Sequence, residues 1–157
     1  MSDLELRDEP FAGAAAQALI AQVQQEYVER YGGPDATVLD PDAFIPPRGA
    51  FFVGYLDGVA VMCGGWRSLS DWPGTAEIKR MFVAAAYRRR GLARVLLTQI
   101  EESIRAAGHD RVWLETGMHQ PEAMALYLSS GYEPIDGYGH YKDAPLARPM
   151  GKNLPSG

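Results

Sequence analysis

Two apolar runs, AFFVGYL (50–56) and VAVMCGGWRSL (59–69), meet at Asp57-Gly58. An Asp-Gly pair between β-rich segments calls for a two-residue hairpin, because both turn positions need positive φ. Asp71-Trp72-Pro73-Gly74 reads as a second turn, and TAEIKRMFV (75–83) beyond it as a third strand. The middle of the chain is therefore an antiparallel meander, and its flanks must cover the faces of a sheet.

The flanks carry helical periods. LELR from Leu4 alternates as an edge strand. From Pro10 onward, Phe11, Ala15, Leu19, Val23, Tyr27 and Tyr31 recur every four residues until Gly32-Gly33-Pro34 closes the pattern. Residues 35–49 read as loop, with one helical turn at DPDAF. A helix from Gly91 to about Ala107 buries Leu92, Val95, Leu96, Ile100 and Ile104, with Glu101 and Arg105 outside the stripe and Gly108 as its stop. RVWLE (111–115) is a strand, 121–130 a helix opened by Pro121, YEPI a strand, DGYGHY a loop, and 146–154 a final strand. The order is β-α-(α)-β-β-β-α-β-α-β-β, one α/β domain over residues 1–157.

A formal charge of −5 and a pI near 5.2 argue against nucleic acid or a membrane surface as partner. The single cysteine, Cys63, precludes an internal disulfide, and its place in VAVMC is that of a core residue rather than a nucleophile. His109, His119 and His140 are scattered without metal-ligand spacing, so no metal is expected. With no basic-then-apolar leader and no apolar run near ~20 residues, a soluble cytoplasmic protein is expected.

Against that acidic background stands YRRRGLARVLL (87–97). A helix start presents unpaired N–H groups and partial positive charge, which suit a phosphate. Gly91 lets backbone approach a ligand, and Ala93 keeps the next turn slim. The plain alternative is a solvated charge run ahead of an amphipathic helix. A P-loop is absent, and GYGHYK lacks the third glycine of a dinucleotide fingerprint.

Arg88-x-x-Gly91-x-Ala93, after a strand and opening a helix, resembles the [RQ]-x-x-G-x-[GA] signature of the GCN5-related N-acetyltransferase (GNAT) superfamily. QPEAMALYLSSGY (120–132) resembles that family's N-x-x-A-x-x-L-Y-x-x-x-G-[FY] helix, with Gln120 in place of asparagine. Together with the element order, the resemblance spans roughly residues 4–154. It implies a mixed, mostly antiparallel sheet of six to seven strands flanked by helices, whose fourth and fifth strands splay to admit acetyl-CoA as co-substrate. It further implies pyrophosphate on the amides of Arg88, Arg89, Arg90, Gly91, Leu92 and Ala93. The acyl and pantetheine portions would then run along Phe82 and Val83, with Gln120 against the pantetheine arm.

The same resemblance makes Tyr127 the general acid. A phenol with a pKa of ~10 is protonated at neutral pH and can donate to a departing thiolate. For the base, Glu77 leads, with Glu115 and His140 behind it; regular alternation would set Glu77, Lys79, Met81 and Val83 on one face, unless a bulge breaks the register. A Glu77–Lys79 surface pair is the plain alternative. The acceptor regions are rich in aromatics, namely Tyr27, Tyr31, Trp66, Trp72, Tyr138 and Tyr141, and the negative charge leans toward an amine. The resulting expectation is N-acetyl transfer to a small-molecule primary amine, by a chain whose assembly as a homodimer is left open. Three rivals stand beside it: a protein or peptide acetyltransferase, a non-catalytic acyl-CoA sensor, and a binder of another nucleotide.

Overall fold

The computed structural model describes residues 3–37, 39–118, 120–139 and 141–155. Its strands are β1 (Leu4–Asp8), β2 (Gly49–Leu56), β3 (Val59–Ser68), β4 (Thr75–Val83), β5 (Arg111–Gly117), β6 (Glu133–Pro134) and β7 (Ala147–Asn153). The helices are α1 (Ala14–Tyr31), α2 (Leu92–Ala106) and α3 (Pro121–Ser129), with short 3-10 turns at Pro41–Phe44 and Ala85–Tyr87. The strands form one sheet in the order β1-β2-β3-β4-β5-β7-β6. Every neighbouring pair is antiparallel except β4–β5. The β2–β3 hairpin turns at Asp57 (φ 51°) and Gly58 (φ 83°), as an Asp-Gly turn should.

Each face of the sheet carries a helix. Ala16, Leu19, Ile20 and Val23 of α1 pack on Phe51, Val53, Cys63 and Phe82. Leu92, Leu96, Leu97, Ile100 and Ile104 of α2 pack on Phe52, Met62, Trp66 and Ile78 on the other side. Two readings from the sequence are corrected here. The first helix starts at Ala14, not Pro10, and Phe11 in the preceding turn stacks on Phe44 at 4.7 Å. In α2, Leu97 joins the buried stripe while Val95 is exposed, because the apolar face spans more than one heptad seam.

β4 is where the sheet departs from regularity. Cys63 opposes Phe82 and Gly65 opposes Lys79, so Gly64 alone faces both Arg80 and Met81. This is a β-bulge, and Arg80 takes φ 57° to make it. Gly64 permits the approach, since a Cβ there would come within 3.1 Å of Met81 Cα. The bulge breaks the expected alternation. Met81 and Val83 turn to the α2 side with Ala76 and Ile78, while Lys79 and Arg80 both reach Asp35 and Phe82 joins the α1 side.

β5 pairs with β4 only through Thr75–Arg111, Ala76–Val112 and Glu77–Trp113. Beyond that point β5 stays with β7 as far as Gly117–Ala147, and the two central strands part. The splay opens the sheet between α2 and α3. No helix among the described residues is long and apolar enough to cross a membrane.

Candidate active site

The opening between β4 and β5 widens into a cleft of about 720 Å³. Phe82, Val83, Arg88, Arg89, Gly91, Leu92, Ala93, Gln120 and Tyr127 all line it; Arg90 does not. Glu26 and Arg30 of α1, and Arg94 of α2, complete the rim.

At its phosphate-like end, Arg89 (φ 65°) and Gly91 (φ 78°) are both left-handed and bracket Arg90. Such a turn curls successive amides to one side. Gly91 is the N-cap of α2, and no side chain caps the helix, which leaves the first-turn N–H groups facing the cleft. The arginines divide their work. Arg88 is tied back into the fold: its Nε donates to the Val83 carbonyl at 2.8 Å, and its guanidinium also bonds Glu26. Arg89 is exposed and meets Glu122 at 3.4 Å, while Arg90 lies over the Tyr87 ring at 5.4 Å. Arg94 bridges to α3 through Ser129 and Ser130.

Along the strand, Ala84 N bonds the Val61 carbonyl at 2.8 Å. Hydrogen-bonded and non-bonded pairs alternate in an antiparallel ladder. The next pair, Val83–Met62, therefore points its groups away from β3, toward the side from which β5 has departed. The Val83 N–H thus faces the cleft, and Arg88 has taken the matching carbonyl.

Tyr127 is buried, edge-on to Tyr132 at 5.6 Å, with its hydroxyl 3.6 Å from Met81 Sδ. Burial, aided by nearby Tyr27, raises this phenol above its ordinary pKa and holds it protonated. Cys63 is buried in the α1-side core, and burial pushes its thiol up to about 12, which leaves it unreactive.

The candidate bases Glu77 and Glu115 lie outside the cleft, around two smaller cavities. One of about 330 Å³ is lined by Arg67, Trp72, Glu77, Lys79, Glu115 and Tyr138 among others. Glu77 has both oxygens engaged there, by Arg67 Nε at 3.0 Å and the Tyr138 hydroxyl at 2.7 Å. The other, about 350 Å³, is walled by Tyr27, Tyr31, Pro34, Tyr141, Pro145 and Leu146, and it shares Lys79 and Glu115 with the first. Gln120 lines both this cavity and the large cleft. Its Oε1 accepts from Tyr31 at 3.5 Å and Thr116 at 3.3 Å.

Glu115 Oε2 is buried without a hydrogen-bond partner among the described residues. Burial raises the Glu115 carboxyl above its usual range, with Lys79 opposing and Glu77 and Asp35 adding to the rise. Asp35 goes the other way. Burial pushes it up, but Lys79, Arg80 and hydrogen bonds from Thr37 overcome that and hold it well below the carboxylate range. Tyr141 also donates to Asp35 at 2.9 Å. Among the described residues no group of three His, Cys, Asp or Glu side chains stands where it could hold a metal ion. His119 and His140 lie outside the described residues.

Asp35, Gln120 as the link between cavities, and the tyrosine-loop contacts escape a reading of the chain alone. Asp35 sits in a loop with no periodic signal. Its partners announce themselves only in retrospect, because adjacent Lys79 and Arg80 can share one target only across a bulge, and Gly64-Gly65 is the mark of one.

The profile of the acetyltransferase (GNAT) family matches residues 16–132. The chain is 33% identical over 148 residues to a protein named IAA acetyltransferase from Azospirillum brasilense, covering 94% of this chain and 95% of the relative. A solved structure from Klebsiella pneumoniae, provisionally assigned as an acyl-CoA N-acyltransferase, superposes with a TM-score of 0.80 at 28% identity over 96% of this chain and 97% of that one. A GNAT family acetyltransferase from Elizabethkingia anophelis with acetyl-CoA bound shares the fold, with a TM-score of 0.68 at 14% identity over 96% and 98%.

Proposed function

The chain belongs to the acetyltransferase (GNAT) family, and from that premise we propose that it transfers the acetyl group of acetyl-CoA to the primary amine of a small molecule, by direct attack in a ternary complex. One observation carries the reading: a single cleft gathers an uncapped helix start, a strand N–H turned outward at Val83, and the Tyr127 hydroxyl. The Elizabethkingia relative with acetyl-CoA supports the donor. The relative named IAA acetyltransferase supports a small-molecule acceptor.

The pyrophosphate rests on the amides from Arg88 to Ala93, with Arg89 adding charge at the rim. Phe82 and Val83 flank the thioester, and the Val83 N–H takes the developing oxyanion. A base first removes one proton from the substrate ammonium. The neutral nitrogen attacks the carbonyl carbon, the C–S bond breaks, and Tyr127 gives its proton to the thiolate. The nitrogen's second proton restores the phenol, so the products are amide, thiol and one proton released from the base.

Glu115 fits the base better than Glu77. Glu77 spends both oxygens on Arg67 and Tyr138. Glu115 has a free oxygen and a raised pKa, the state in which a carboxylate accepts a proton most readily. Gln120 faces Tyr31 and Thr116 with its carbonyl and also bonds the Tyr27 hydroxyl, and its place in both the cleft and the smaller cavity sets it beside the pantetheine arm.

Isothermal titration with acetyl-CoA tests the donor site. Wild type binds, and Gly91→Glu, which sets a carboxylate at the helix start, weakens binding by at least about tenfold. No binding by wild type, or undiminished binding by the variant, overturns the reading.

A further inference from the structure

We propose that the acceptor is a monoamine with an apolar, ring-sized body, seated in the 350 Å³ cavity between the end of α1, the end of β5 and the segment before β7. The inference rests on the acetyltransferase reading and narrows its acceptor.

Continuity selects this cavity. Gln120 belongs to both it and the donor cleft, whereas the Glu77 cavity has no residue in common with the cleft. Tyr27, in the cavity wall, is near enough to Tyr127 to help raise its phenol, so the wall approaches the place where the thiolate departs. Glu115 stands in the wall that the two smaller cavities share.

The lining selects the chemistry. Three tyrosine rings, two prolines and Leu146 offer flat apolar surface, which rewards a ring or short branched alkyl group. Two carboxylates, Asp35 and Glu115, stand against two cations, Lys79 and Arg80, so the charges balance. Asp35 is committed to Lys79 at 3.6 Å, to Arg80 and to Tyr141, so it has little left for a ligand cation. Glu115 remains as the carboxylate in that wall not committed to a cation or hydroxyl, among the described residues. The site thus holds no surplus negative charge, and its one uncommitted carboxylate can take a single ammonium proton and no more. A polyamine would bring a second cation with no partner, a costly burial. The size agrees: about 350 Å³ suits one ring and a short arm rather than a peptide.

Chemically, one ammonium proton passes to the Glu115 carboxylate, the nitrogen forms the new C–N bond, the C–S bond of acetyl-CoA breaks with Tyr127 protonating sulfur, and the nitrogen's second proton restores the phenol. No further reactant is required.

Thiol release measured with 2-phenylethylamine, spermidine and a lysine-containing peptide tests the proposal, alongside the cavity-filling variants Leu146→Trp and Ala144→Phe. Expected is a kcat/KM for 2-phenylethylamine at least about tenfold above the other two. Either variant should raise its KM by a similar factor while the titrated affinity for acetyl-CoA, which reports folding as well, stays put. Preference for spermidine or peptide, or an unchanged KM in both variants, overturns the inference and leaves the acetyltransferase reading standing. Acetyl-CoA binding with no thiol release from any amine overturns both.

Discussion

Tyr138 donates a 2.7 Å hydrogen bond to Glu77 Oε2, reaching from the loop before β7 across to β4. Arg67 holds the other oxygen from β3, at 3.0 Å. One buried carboxylate thus fastens the loop to the centre of the sheet, and burial with the neighbouring charge raises the Tyr138 phenol so that it stays a donor. Such a residue is better placed to hold the loop on the sheet than to shuttle protons.

Glu77→Gln should therefore act on stability. Removing the charge from a buried pair and weakening two hydrogen bonds costs about 2–3 kcal/mol in urea unfolding. The pH dependence of kcat/KM should keep its shape. A pH profile that loses its rising limb in Glu77→Gln would return the base to this residue.

Tyr127 should behave in the opposite way. Its hydroxyl has only the Met81 sulfur at 3.6 Å, a weak partner, so Tyr127→Phe leaves the core nearly intact. Without the proton donor, kcat should fall roughly 10²–10⁴-fold while acetyl-CoA affinity is largely unchanged. Steady-state thiol release beside titration separates the two quantities. Equal turnover in the variant would remove Tyr127 from the chemistry.

The contrast between these residues shows what a chain discloses by itself. The meander, the αβ order and the loop from Arg88 to Ala93 rest on local signals: an Asp-Gly turn, helical periods, glycine at a helix start. Those signals survive folding because each acts over a few residues. The role of Glu77 does not, since it depends on Tyr138, 61 positions away, and on Arg67 across a strand pair. Regular alternation misplaces Met81 and Val83 because the bulge at Arg80 is decided by the opposing Gly64. Glu115 ranks behind Glu77 in the sequence for a related reason: its raised pKa comes from burial, which only the folded chain provides.

Asp35 predicts a response to acid. Its side chain is 12% exposed and sits against Lys79 and Arg80, at 8% and 5%. A carboxylate whose folded pKa is depressed contributes stability above its unfolded pKa of ~3.9 and loses it as pH falls through the folded value. Asp35→Asn strips the partner from two buried cations and should cost about 3–5 kcal/mol at pH 7. Unfolding curves collected down the acid range check this. The gap between wild type and the variant should begin to narrow below pH ~4 and close only well below it; a constant gap at every pH would rule out the charge as the source.

Glu115 predicts the reverse sign. Its folded pKa is raised, so the proton-bound form is favoured in the native state, and its contribution is fully present below the unfolded pKa and lost as pH rises through the folded one. At neutral pH the ionised side chain is therefore a burden on the fold. Glu115→Gln should melt higher than wild type at pH 7, with the gain shrinking toward pH ~4, where both side chains are neutral. The same substitution should lower kcat/KM and abolish the limb of its pH profile that reports the base. A variant less stable than wild type at pH 7 with normal turnover would make Glu115 a structural acid and leave the proposed proton acceptor without its residue.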